Sequence, residues 1–222
     1  MAALSSSILD LVRVAAAIAG LDEQSLKQVM EAAAPRADHA LVEEVILQSY
    51  LFAGFPRALN AARIWRALVG PPSGATAAES GGLTEWRAAG EKTCAVVYGD
   101  AYERLRSNVR ELHPLLDEWM IVDGYGKVLS RPGLDLQTRE LCIIGACAAS
   151  GQQRQLHSHL HGALNAGAPP EAVEGALDCL ADIVPADRLA SYKLLFARVR
   201  QGSIRRTAPG DAAAPVRPAD VH

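Results

Sequence analysis

The sequence predicts an all-α protein, a helical bundle whose helices are separated by glycine and proline. Half of the 222 residues are hydrophobic but only 5% are aromatic. Alanine, the strongest helix former, is abundant, and runs of β-branched residues are scarce. Apolar residues also recur at helical spacing, as in LDLVRVAAAIAG at 9–20. Together these features favour closely packed helices over sheets.

The first part of the chain is predicted to contain a helical repeat and a linker. Residues 1–70 form the predicted first repeat, whose helical stretches end at Gly20, Pro35, Gly54 and Gly70. Residues 71–82, PPSGATAAESGG, have the composition of a flexible linker.

The rest of the chain is predicted to contain connecting helices, a second repeat and a tail. Residues 83–133 are predicted to connect the repeats through a charged helix and a short helix that starts at Pro114 and stops at Gly124 and Gly126. Residues 134–201 form the predicted second repeat, and residues 202–222 are predicted to be disordered.

The two helical regions match each other at one fixed offset without a gap. The matched pairs include Leu11 with Leu141, Ala16 with Ala146, Glu44 with Glu174, and Leu59 with Leu189. We interpret the match as a degenerate tandem duplication in which each helical unit buries a face on the other.

A histidine cluster in the second repeat is the strongest indication of a functional site. His157, His159 and His161 are three of the six histidines, and they follow a helix that carries Arg139 and Glu140. Imidazole gains or loses a proton near neutral pH, so the cluster indicates a site for proton chemistry. His157 and His161 are also spaced to share a zinc ion, but no third ligand is evident, and we predict no metal. A buried, hydrogen-bonded His159 with no chemical role remains an alternative.

Composition excludes several classes of function. A formal charge of −3 offers no basic surface for nucleic acid, and no apolar run is long enough to span a membrane. No basic segment precedes an apolar core at the N-terminus, so we expect a cytoplasmic protein. The four cysteines contain no CxxC pair, and Cys142 and Cys147 are predicted to be buried free thiols.

Three segments resemble the carboxymuconolactone decarboxylase family, which includes alkylhydroperoxidase D-like proteins. They are AGEKTCAVVYGDAY, DGYGKVLSRPGLDLQTREL and QLHSHLHGALNAGAPPEAVEGAL, between about residues 89 and 183. The resemblance implies a helical fold and assembly into rings. A chain with two units would then form a homotrimer.

The resemblance also implies roles for individual residues. His159 matches the family histidine, and Glu140 matches the glutamate that precedes the alkylhydroperoxidase motif. The two cysteines of that motif fall on Gln152 and Gln155, which argues against a dithiol peroxidase. In the decarboxylases a glutamate stands where this chain has Gln155, one helical turn before His159.

These roles define the predicted catalytic and substrate-binding residues. His159 is the predicted acid/base, with Gln155 and Glu140 as its orienting neighbours. Arg139 and Arg131 are predicted to hold a substrate carboxylate, and His157 and Tyr125 are further candidates for substrate binding. Glu140 could instead pair with Arg139 or cap a helix, and Arg131 could belong only to a turn.

The leading functional hypothesis is cofactor-free decarboxylation or proton transfer on a small carboxylated lactone or related acid. The alternative is a catalytically silent helical oligomer that binds a small molecule or serves assembly. Expected partners are a small carboxylate substrate and other copies of the chain, with no nucleic acid and no membrane.

Overall fold

In the computed structural model, which describes residues 4–72 and 81–207, the described part of the chain is helical and contains no strand. The predicted all-α fold is therefore confirmed. Most of the predicted linker, at 73–80, and most of the predicted tail, at 208–222, lie outside the described residues.

The first region contains three helices whose starts carry polar caps. They are α1 (Ser6–Gly20), α2 (Glu23–Ala33) and α3 (His39–Val69). The carboxylates of Asp22 and Asp38 accept hydrogen bonds from the backbone N–H groups of Ser25 and Ala40, which satisfies donors that a helix start leaves free. Gly54 interrupts α3 with a positive φ of 79°, in agreement with the predicted break at that glycine.

The middle region continues past the point where the sequence predicted a stop. It contains α4 (Leu83–Tyr98), a 3₁₀ turn (Gly99–Ala101), α5 (Tyr102–Leu112), α6 (Pro114–Trp119) and a π-helix (Met120–Leu129). The π-helix runs through Gly124 and Gly126, so the predicted stop there was wrong. Helix α4 is an additional element, since only a charged helix and a short helix were predicted for residues 83–133.

Two glycines allow α4 and the π-helix to lie unusually close together. A Cβ atom at Gly90 would be 2.0 Å from the carbonyl oxygen of Ile121, and one at Gly126 would be 2.0 Å from that of Trp86. Neither distance is possible between non-bonded atoms, so only glycine permits this contact. The glycines that resemble a helix stop in the sequence therefore serve helix packing.

The last region contains α7 (Leu136–Ser150), α8 (Gln153–Asn165), α9 (Pro170–Asp178) and α10 (Ala186–Thr207). Asp135 caps α7 by accepting a hydrogen bond from the Thr138 N–H at 2.9 Å. Gly151, in the left-handed conformation at φ 75°, ends α7 and turns the chain into α8. This short turn lets α8 fold back on α7.

The core is centred on α1 and α7, which pack directly against each other. Most of each helix is buried, and a Cβ at Gly145 would be 2.8 Å from the Val12 carbonyl oxygen. Both helices contain 15 residues and occupy equivalent positions in the sequence match. The tandem duplication itself stays a prediction.

We expect Gly90→Ala to destabilise the protein by at least ~1 kcal/mol, because the new methyl group forces α4 away from the π-helix. The same substitution at Gly202 in α10 is the control, since no atom lies within 4 Å of a Cβ there. Gly202→Ala should stabilise by about 0.5–1 kcal/mol through helix propensity. Urea unfolding of both variants tests this, and an equal shift in the two would contradict the packing role of Gly90.

Candidate active site

A buried histidine–glutamate pair joins α7 to α8. Nδ1 of His159 lies 2.8 Å from Oε2 of Glu140. The Glu140 side chain is fully buried, and His159 is only 5% exposed. A hydrogen bond at Nδ1 fixes the orientation of the imidazole ring and leaves Nε2 as the nitrogen able to exchange a proton with a ligand.

Gly162 provides the space that the Glu140 carboxylate needs. A Cβ at Gly162 would lie 2.5 Å from Glu140 Oε2 and 2.7 Å from Val97 Cγ1. Any larger residue would therefore displace the carboxylate from His159. The second oxygen, Oε1, is buried and has no hydrogen-bond partner within the described part of the chain. A buried carboxylate oxygen without a partner is costly, which is typical of a site kept for chemistry rather than stability.

His159 lines a cavity of about 680 Å³ between α3, α4, α6, the π-helix and α8. The cavity is in the size range of small-molecule sites and is mainly apolar and aromatic. The Phe52 ring meets the His159 ring edge-on, with centroids 5.7 Å apart. The other lining residues are Tyr50, Leu51, Phe55, Tyr98, Leu116, Trp119, Met120, Asp123, Gly124, Tyr125, Lys127 and Leu129.

Two tyrosines place phenol groups in the cavity wall beside His159. The rings of Tyr98 and Tyr125 lie edge to face, with centroids 6.2 Å apart. Burial raises the pKa of Tyr98 to about 12 and holds the pKa of Tyr125 well above its ordinary value. Both hydroxyls therefore stay protonated at neutral pH and can donate hydrogen bonds.

Asp123 and Lys127 add opposite charges to the cavity wall. Both project from the π-helix, and the Lys127 ammonium lies 5.1 Å from the centre of the Trp86 ring, in cation–π geometry. The cavity thus combines an imidazole, two phenols, an ammonium group and a carboxylate in an otherwise apolar lining.

Comparison with known proteins identifies the family. The sequence profile of the carboxymuconolactone decarboxylase family matches residues 118–192, which include the π-helix, Glu140 and His159. The chain is also 30% identical over 171 residues to Peroxisomal protein 2 of Schizosaccharomyces pombe, an alignment that covers 75% of this chain and 76% of the relative. The chain belongs to the carboxymuconolactone decarboxylase family.

Arg139 and Arg131 lie outside the cavity lining of this family member. Arg139 is fully buried, and its guanidinium donates to Glu44 at 2.7 Å, to Gln48 and to the carbonyl oxygens of Leu134 and Arg131. Arg131 contacts the same Glu44 carboxylate at 3.1 Å. The predicted anion anchors therefore serve a buried ion-pair network between α3 and α7, because Arg139 points away from the side of α7 that carries Glu140.

Gln155 and His157 also lie outside the cavity lining. Both are exposed on α8, and the residue bonded to His159 is Glu140 rather than Gln155. His157 and His161 lie with ring centroids 5.0 Å apart beside a second cavity of about 290 Å³, which Arg104 also lines. No cluster of three metal-binding side chains occurs in the described residues.

The cysteines of this family member do not form a reactive dithiol. All four are free, and Cys142 and Cys147 are buried as predicted. Burial raises the thiol pKa of Cys94, Cys147 and Cys179 to about 12. Gln152 and Gln155 occupy the motif positions on the exposed start of α8, so these positions offer no thiolate for peroxide chemistry.

Sequence reasoning missed Tyr98, Asp123 and Lys127. Tyr125 was predicted, and the structure places it in the cavity. The missed residues depend on the π-helix and on its close contact with α4. The pair of glycines in the segment DGYGK was the available signal, since a helix through them needs a packing reason.

In the described residues of this family member, no helix has both the length and the apolar character needed to cross a membrane.

We expect Glu44→Gln to destabilise the protein by ~3 kcal/mol, because the substitution leaves the fully buried Arg139 without a charged partner. Glu31→Gln is the control: it breaks the exposed pair between Lys27 and Glu31, whose atoms are 3.6 Å apart, and should cost at most ~0.5 kcal/mol. Denaturant unfolding at pH 7 measures both losses, and similar losses would contradict the structural role of the network.

The stability difference between the wild type and Glu44→Gln is also expected to depend on pH. Burial opposes ionisation of Glu44, but the hydrogen bonds and charges of Arg131 and Arg139 outweigh it and hold its pKa below the ordinary value. A lowered folded pKa gives stability that is present above the unfolded pKa and lost as the pH falls through the folded one. The stability difference between wild type and Glu44→Gln should therefore shrink as the pH is lowered below about 4.5. A difference that stays constant down to acid unfolding would contradict this assignment.

Proposed function

We propose that this protein is a cofactor-free acid–base enzyme that decarboxylates an organic acid bound in the large cavity. The observation that carries the proposal is the hydrogen bond between His159 and the buried Glu140 at the wall of an apolar cavity. The same pair would also serve simple proton transfer at a carbon next to a carbonyl group. Membership in a family named for a decarboxylase supports the first of these reactions.

His159 acts as the proton donor and Glu140 positions it. The Glu140 carboxylate accepts the Nδ1–H bond, holds the ring toward the cavity and stabilises the imidazolium form, as an acidic partner does in other His-dependent sites. Because the pair is buried, little water competes with this interaction. Nε2–H is then the acid available to the substrate.

The chemical step requires one bond to break and one proton to move. The bond between the substrate carbon and its carboxylate breaks, and the group leaves as carbon dioxide. The electron pair remains on the carbon or moves into a conjugated carbonyl, and His159 delivers its proton to that carbon. A proton from solvent restores the imidazolium, so the reaction needs no oxidant or reductant.

The remaining polar groups of the cavity have complementary tasks. Lys127 supplies a positive charge for the substrate carboxylate before it leaves. Tyr98 and Tyr125, which stay protonated, donate to an oxygen on which negative charge develops. Preorganised donors of this kind commonly contribute the largest share of transition-state stabilisation. Lys127 thus takes the task that the sequence assigned to Arg139 and Arg131.

Three further predictions from the sequence belong to this proposal. We infer a tandem duplication in which α1 and α7 are equivalent helices. The homotrimeric ring and the cytoplasmic location stay predictions. The catalytically silent module is the outcome in which the cavity binds ligands without turning them over.

We expect His159→Gln to lower kcat for carbon dioxide release by ~10²-fold or more while KM changes little, because glutamine occupies similar space but cannot donate the proton at neutral pH. Glu140→Gln should lower kcat by a smaller factor, since it keeps a hydrogen-bond partner for Nδ1 but removes the carboxylate charge beside the ring. The assay uses a panel of carboxylated lactones and β-keto acids.

His161→Gln is the matched control, because His161 lies on the same helix but outside the large cavity. Its kcat should remain within about twofold of wild type, well inside the loss expected for an acid catalyst. Equal losses in the two histidine variants, or full activity in His159→Gln, would reject the acid role. Binding without turnover in the wild type would support the silent module instead.

A further inference from the structure

The rim of the large cavity is made of exposed apolar side chains. Phe55, Trp119 and Leu116 line the cavity, and they remain 64%, 55% and 47% exposed, respectively. Phe55 also stacks on Tyr50, with ring centroids 4.8 Å apart, which holds it at this position. Large exposed hydrophobic groups at the mouth of a cavity are costly in water and are typical of a ligand-binding surface.

The apolar surface continues from the rim to the histidine. Leu51, Phe52, Met120 and Leu129 line the cavity in addition to the rim residues, and Phe52 contacts the His159 ring directly. A molecule that reaches His159 therefore passes along aliphatic and aromatic side chains. Such a path favours a ligand with a large hydrophobic group, because each buried methylene contributes about 0.8 kcal/mol.

The charges of the cavity limit the number of carboxylates that it can hold. Among the described residues that line the cavity, Lys127 is the only lysine or arginine, and Asp123 on the same helix adds a negative charge. The positive charge of the proposed His159 imidazolium is already balanced by its partner Glu140. A second substrate carboxylate would be transferred from water into an aromatic enclosure without a further cation, which is strongly unfavourable. The arginines that could have met it are held by Glu44.

We propose that the ligand of this cavity is an amphipathic monocarboxylate. Its carboxylate end lies near Lys127 and His159, and an alkyl or aryl group fills the rest of the cavity up to Phe55, Leu116 and Trp119. The placement of the carboxylate rests on the proposed function, whereas the hydrophobic group rests on the cavity wall alone. A compact dicarboxylated lactone does not fit this distribution of charge and apolar surface.

Binding of straight-chain carboxylates by calorimetry tests the proposal with the full-length protein. From hexanoate through octanoate to decanoate, Kd should fall about fourfold per added methylene. Octanedioate matches octanoate in length but carries a second carboxylate, and it should bind at least about tenfold more weakly. A Kd that does not change with chain length, or equal binding of the two eight-carbon acids, would overturn the proposal.

Substitutions at the rim test whether the alkyl chain of the carboxylate reaches it. Phe55→Ser and Leu116→Ser should reduce the gain per methylene for the longer acids. Leu59→Ser is the control, because Leu59 is on the same helix as Phe55 and is 55% exposed, but does not line the cavity. Unchanged chain-length dependence in both rim variants, or the same loss in all three, would contradict a ligand that reaches Phe55 and Leu116.

His159→Gln separates this inference from the proposed function. The chain-length dependence should persist in that variant, since the apolar wall is intact. If the wild-type protein shows the dependence but no turnover, the decarboxylase proposal fails and the ligand class stands. If turnover is found only with short dicarboxylated lactones, the ligand class fails and the acid–base chemistry stands.

Discussion

The burial of α7 is the constraint on which the rest of the structure depends. This helix lies against α1 and α8 and carries two adjacent charged residues, Arg139 and Glu140, both with side chains that are fully buried. Neighbouring residues on a helix point about 100° apart, so one element cannot satisfy both charges. Glu44 and Gln48 on α3 meet the arginine, and His159 on α8 meets the glutamate.

The two buried charges, Arg139 and Glu140, differ in how many of their polar atoms have hydrogen-bond partners. The Arg139 guanidinium contacts a carboxylate, an amide oxygen and two backbone carbonyl oxygens. Glu140 has one bonded oxygen and one buried oxygen without a partner in the described part of the chain. A folded protein gains nothing from an unpartnered buried oxygen. The incomplete pairing agrees with the proposed role of Glu140, whereas the complete pairing of Arg139 agrees with a structural role.

The helices were predictable because their ends are determined locally, by Asp caps and by glycines such as Gly54 and Gly151. The π-helix was not predictable from local signals, because Gly124 and Gly126 normally indicate the end of a helix. The helix continues through them because it packs closely against α4. The pairing of His159 with Glu140 followed from the resemblance. Spacing could not tell toward which helix Arg139 points, since that depends on how α3 and α8 flank α7.

The apolar cavity connects the proposed ligand with the proposed chemistry. An apolar wall holds a hydrophobic group and at the same time excludes water from His159 and the phenols of Tyr98 and Tyr125. Charges interact more strongly where water is absent, so a substrate that fills the cavity strengthens the same interactions that stabilise its reaction. A short, highly charged acid would leave part of the cavity to water and lose that benefit. If both proposals hold, the hydrophobic group should contribute to the rate as well as to the affinity, which is how binding energy remote from the reacting carbon acts in catalysis.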